Sequence, residues 1–80
     1  MRQLVEFLAR SLVDDAGAVQ VRAAPAAEGQ GVLIDLAVAP ADVGKVIGRG
    51  GRVARALRSV VRAAALRHRV RVVLNITSNA

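Results

Sequence analysis

Residues 43–52 read Val43-Gly44-Lys45-Val46-Ile47-Gly48-Arg49-Gly50-Gly51-Arg52, a Gly-x-x-Gly bend set between two stretches of helical periodicity. Gly48 and Gly51 carry no Cβ, so the chain can turn sharply and its backbone can come within hydrogen-bonding distance of a ligand. Backbone N–H groups are expected to face outward there. Gly51 and Arg52 open the second helix, whose unpaired N–H groups and positive dipole end favour an anion. A bend of this kind can grip a phosphate backbone.

Charge divides along the chain in the same sense. Residues 1–42 hold Arg2, Arg10 and Arg22 against six acids, a net −3, whereas residues 43–80 hold Lys45 and eight arginines with no acid, a net +9. The half with the bend is thus the basic half. This points to a polyanionic partner, nucleic acid before an anionic membrane, with a merely solvated charged face as the plain alternative. The single aromatic, Phe7, argues against recognition by stacking bases on exposed rings. With no cysteine, disulfides and thiol chemistry are excluded, and the chain suits a reducing, cytoplasmic setting. No apolar run approaches the roughly 18 residues of a membrane span. The segment Met1 to Val13 is broken by Glu6 and Arg10 at helical spacing, so it reads as part of the fold and not as a signal peptide.

Eighty residues suffice for one small domain, 1–80, held by packing alone. Leu4, Val5, Leu8, Leu12 and Val13 form one face of a first helix, ended by Asp14, Asp15 and Gly17. Val19, Val21 and Ala23 alternate with polar neighbours as a first strand. Residues 24–31 read as a loop. A second strand runs from Val32 to Val38 and is closed by Pro40. Ala41 to Ile47 suits a two-turn helix, with Asp42 near its positive end. From Arg52 to about His68 a long helix gathers Val53, Ala56, Leu57, Val60, Val61 and Ala64 on one side. Arg52, Arg55, Arg58 and Arg62 fall within an arc of about 120° on the other. Alternation from Val70 to Thr77 gives a last strand. An αββααβ chain of this length most simply packs its helices on one face of a three-stranded sheet, an α+β architecture.

These residues resemble the KH domain, and the element order resembles its type II topology. The run Val38 to Ala65, together with the brevity and the leading helix, is similar to the small bacterial single-KH RNA-binding proteins of the KhpA family. The resemblance implies binding of single-stranded RNA, about four nucleotides clamped along the bend. It places Gly48, Arg49, Gly50 and Gly51 on the sugar-phosphate backbone, with Lys45, Arg52 and Arg55 as cationic neighbours. Bases would lie against Val43, Val46, Ile47 and Leu36. Gly50 departs from the family, which commonly has a polar residue there, and removes one possible contact. The resemblance further implies RNA chaperone activity, pairing as a homodimer or with a larger KH-containing protein of the KhpB (Jag, EloR) kind, and a part in cell elongation and wall synthesis.

After Ser59 the long helix is apolar almost all round. Val60, Ala64 and Leu66 are therefore either a dimer surface or a helix end covered by the last strand. Enzymatic function has little support: His68 lacks an evident carboxylate or nucleophile partner, Ser11, Ser59 and Ser78 lie in no nucleophile motif, and the glycines fit neither a Walker loop nor a dinucleotide fingerprint. No metal or cofactor is expected. The competing function is an interaction module that dimerises through this scaffold while its partner makes the main RNA contacts.

Overall fold

The computed structural model describes residues 1–26 and 31–79. Its elements are α1 (Arg2–Leu12), β1 (Gln20–Pro25), β2 (Val32–Val38), α2 (Val43–Ile47), α3 (Arg52–Arg67) and β3 (Val72–Ser78), with single 3₁₀ turns at Ala16–Ala18, Pro40–Asp42 and Arg49–Gly51. The central strand is β2, antiparallel to β1 and parallel to β3. The order is the αββααβ of a type II KH-like α+β fold. Half of the loop expected at 24–31, residues 27–30, lies outside the described residues, and Ala24 and Pro25 belong to β1.

All three helices cover one face of the sheet. Strand residues alternate across its two faces; Ile34, Leu36 and Val38 of β2 and Val72 and Leu74 of β3 point into the core, whereas Val73, Asn75 and Thr77 face outward. Against the inner face pack Val5 and Ala9 of α1, Val46 of α2, and Leu57, Val61 and Ala65 of α3. Burying each of the large aliphatic side chains contributes about 1.5–3 kcal/mol.

The buried stripes are rotated from those expected. On α1, Ala9 is inside while Leu12 is exposed; on α3, Ala54 and Ala65 are inside while Ala56 and Val60 are exposed. Small side chains occupy these positions, and a helix can lie closer to its neighbours where it presents alanine. Asp42 stands at the start of α2, where its charge was expected. It makes no side-chain cap to α2 and is only 3% exposed. Its carboxylate turns instead to the link after α1, accepting the amides of Asp14 at 3.2 Å and Asp15 at 3.0 Å. Because Pro40–Asp42 is already helical in sense and runs directly into α2, Asp42 lacks the extended backbone that a capping residue uses.

Helix α3 ends in a Schellman motif. The Val70 amide donates to the Ala65 carbonyl and the Arg69 amide to that of Leu66, both at 3.1 Å. The left-handed position of this motif usually holds glycine, but here it is Arg69, at φ 54°. An L-residue in that conformation carries a strain of about 1–2 kcal/mol. The strand β3 begins only at Val72, two residues later than its alternation suggests, because the cap occupies Arg69 and Val70.

Candidate nucleic-acid interface

The glycine bend has three positive-φ glycines, Gly48 (75°), Gly50 (59°) and Gly51 (78°). Gly48 reverses the chain after α2, and Gly51 precedes the first residue of α3. Not every amide of the bend is free. The Gly48 amide donates to Gly44 at 2.8 Å, Gly51 to Gly48 at 3.1 Å, and Arg52 to the Arg49 carbonyl. Gly51 and Arg52 are therefore not the open donors expected of them, because the bend closes as a 3₁₀ turn that uses both. No turn closes over Gly48, which leaves the Arg49 and Gly50 amides without a local backbone acceptor.

Arg49 and Gly50 are exposed at the tip, and Gly51 is half-buried. Arg55 is exposed but engaged: its Nη1 donates to the Gly50 carbonyl at 2.6 Å, bracing the bend from the first turns of α3. Lys45 is also engaged. Its ammonium is hydrogen-bonded to the Asp14 carboxylate and lies 4.0 Å from Asp42 Oδ1. The hydrogen bond that Lys45 donates to Asp14, then the charges of Asp14 and Asp42, hold the Lys45 pKa above its ordinary 10.5, although partial desolvation pulls the other way.

The apolar wall proposed from sequence is only half present. Ile47 is 37% exposed and Val43 half-buried beside the bend, but Leu36 and Val46 are fully buried in the core and cannot touch a base. Along α3, Arg52, Arg55 and Arg62 are exposed and Arg58 is half-buried, its Nε directed at the Leu74 carbonyl of β3 at 3.4 Å. The bend and this row thus form one cationic flank. Among the described residues, the ion pairs given by the structure join Arg10 to Glu6 and Lys45 to Asp14 and Asp42, leaving the α3 arginines without a carboxylate.

Val60, Ala64 and Leu66 are not one patch. The last strand covers Val61 and Ala65 but leaves Val60 46% and Leu66 76% exposed, while Ala64 is half-buried. At about 100° per residue, Val60 and Leu66 project about 120° apart. Val60 shares its side of α3 with exposed Ala56 and Ala63, whereas Leu66 lies toward the arginine row. His68 is exposed at the end of α3. Among the described residues no helix is long and apolar enough to cross a membrane.

Comparison with known proteins gives the family. The model of the KhpA/KhpB KH domain matches residues 2–76. A Clostridium acetobutylicum protein named RNA-binding protein KhpA is 47% identical over 76 residues, covering 95% of this chain and 99% of its own. Its namesake in Halalkalibacterium halodurans is 49% identical over 76 residues, covering 95% and 97%. One from Aquifex aeolicus is 44% identical over 77 residues, covering 95% and 94%. No solved structure gives a significant match. With a family model spanning nearly the whole chain and relatives of matching length, the chain belongs to the KhpA/KhpB KH-domain family.

Proposed function

We propose that this protein binds single-stranded RNA, holding the sugar-phosphate backbone at Gly48–Gly51 while the α3 arginines neutralise adjoining phosphates. The observation that carries the reading is the bend itself: two amides without a local acceptor, an exposed arginine at the tip, and, along the helix it opens, guanidinium groups that meet no carboxylate among the described residues. The name RNA-binding protein KhpA, shared by the relatives, supports the same reading. Binding is non-enzymatic, and the protein acts in the cytoplasm as an RNA chaperone.

Partnering belongs to the same proposal. The exposed Ala56, Val60 and Ala63 form a stripe that the described residues leave uncovered, and a second helix can lie closely on such small side chains. This surface would pair the chain with itself or with a larger KH-containing protein of the KhpB kind, the route by which it would affect elongation and wall synthesis. The same stripe is what favours the competing reading of an interaction module.

The double variant Arg49→Asp/Gly50→Asp separates them. Both positions are exposed, a Cβ at Gly50 meets nothing within 4 Å, and aspartate tolerates left-handed backbone. The variant should keep the far-ultraviolet circular dichroism of the parent and lose most of its affinity for an unstructured RNA. Unchanged affinity would transfer the RNA contacts to the partner.

A further inference from the structure

The helices leave the other face of the sheet open, and that face is not composed as a solvated one. The side chains of β2 that turn away from the core are Leu33, Asp35 and Ala37, each half-buried between the flanking strands. Register sets Ala24 opposite Leu33, Arg22 opposite Asp35 and Gln20 opposite Ala37 across the β1–β2 pair. Val73, 49% exposed, extends the apolar row onto β3. An open face usually alternates to polar residues, and parallel pairing, as of β2 with β3, belongs mostly to sheets covered on both sides.

Within the paired strands two charges stand on this face, one of each sign. β3 contributes none, since Val72–Ser78 holds no charged side chain. Directly opposed residues of an antiparallel pair have their Cβ atoms about 5 Å apart. Arg22 and Asp35 nevertheless form no ion pair with each other, nor with any other described residue. Asp35 thus keeps a half-buried, unpaired carboxylate in the middle of the central strand. A neutral face with one group of each sign is complementary to itself. The basic flank is not: a copy brought to the bend and the arginine row would set cation against cation.

We propose that the open sheet face is a contact between two copies of this chain, separate from the α3 stripe and on the opposite side of the sheet from the glycine bend. A twofold axis running along the strands, between β1 and β2, lays β1 of each copy over β2 of the other. Arg22 of each copy then meets Asp35 of the other, and Ala24 lies over Leu33. Three strands about 4.8 Å apart and five residues of about 3.3 Å give a patch of roughly 200 Å². That is small beside the about 800 Å² per partner of a standard interface, so the association is weak and is read at several hundred micromolar.

Sedimentation equilibrium of the Val60→Glu protein at this concentration removes the stripe and isolates the sheet contact. A reversible dimer is expected. In that background Asp35→Arg leaves two arginines on each face and Arg22→Asp leaves two acids; each should weaken the dimer at least about tenfold. Mixed in equal amounts, the two proteins should associate again, because every arginine of one meets an acid of the other. Both keep a net positive charge, so the recovery does not come from opposite overall charge. Circular dichroism checks that each is folded. Ala24→Glu, at an exposed position, is a second disruption, since it sets a carboxylate on Leu33 of the other copy.

A Val60→Glu protein that stays monomeric over this range overturns the contact. So does a dimer that Asp35→Arg, Arg22→Asp and Ala24→Glu all leave intact, or a mixture no more associated than its two components. Dissociation of the dimer by unstructured RNA would assign the face to RNA and equally overturn it.

Discussion

Gly48 and Val53 are packed without room for a methyl group between them: a Cβ on Gly48 would stand 2.5 Å from Cγ2 of Val53 and 2.9 Å from its backbone nitrogen. The first glycine of the bend is thus required by the fold before any ligand arrives. Gly48→Ala should lower stability by about 2–3 kcal/mol, combining the contact with the positive φ. Gly50→Ala, with open space around it, should cost only about 1 kcal/mol. Urea denaturation of the two variants checks the contrast, and equal losses would contradict it.

Asp14 holds the Lys45 ammonium, which the proposed reading would offer to a phosphate. Asp14→Asn should loosen the ammonium, leaving it only the 4.0 Å approach to Asp42, tighten RNA binding and steepen the salt slope by up to about 0.7 as one more phosphate is neutralised. The exchange is feasible because an exposed pair of this kind contributes little to folding. Since the pair raises the folded-state pKa of Lys45, its contribution is intact from neutral pH up to the ordinary 10.5 and is lost as pH climbs through the raised value. The stability difference between parent and Asp14→Asn should accordingly stay level from pH 7 to 9 and disappear above the lysine range.

Asp42 ties two distant segments together, and its loss should be felt in folding and not in recognition. Asp42→Ala removes the acceptor of two amides and should lower stability by about 2–3 kcal/mol, or about 8 °C or more in melting temperature. A melting temperature unchanged within 2 °C would show that water replaces the carboxylate.

Arg55 supports the bend as much as it offers charge. Lysine keeps the charge but lacks the planar fork that reaches Gly50. Arg55→Lys should therefore weaken RNA binding severalfold with the salt slope unaltered. A slope that stays fixed with affinity also unchanged would assign Arg55 to general electrostatics.

Self-association, if it runs along the exposed side of α3, should be abolished by Val60→Glu and spared by Leu66→Glu, because the two side chains project on different sides. Sedimentation at micromolar concentration measures this. A monomeric parent, or equal effects from both, would remove the stripe as the dimer surface.

The αββααβ order and the bend were readable because their signals are local: period two in β2, helical period in α3, and glycines at 48 and 51. What escaped depends on residues far apart in sequence. Nothing around Asp42 announces that its partners are amides 27 and 28 residues earlier, and Lys45 meets Asp14 across 31 positions. Periodicity also weighs alanine too lightly against leucine or valine. It therefore turned α3 toward Val60, when closeness to the sheet favoured Ala54 and Ala65. Arg69 hid for the opposite reason, since a helix stop is sought at glycine and this one is made with an arginine.

The parallel pairing of β2 with β3 has a consequence for synthesis. Val32 finds Val72 only after both intervening helices have been made, and the middle strand of the sheet keeps one side open until residues 72–78 leave the ribosome. Such distant pairing slows folding relative to a helical bundle. The nascent chain would thus carry its basic half beside the ribosome's own RNA before the sheet is complete.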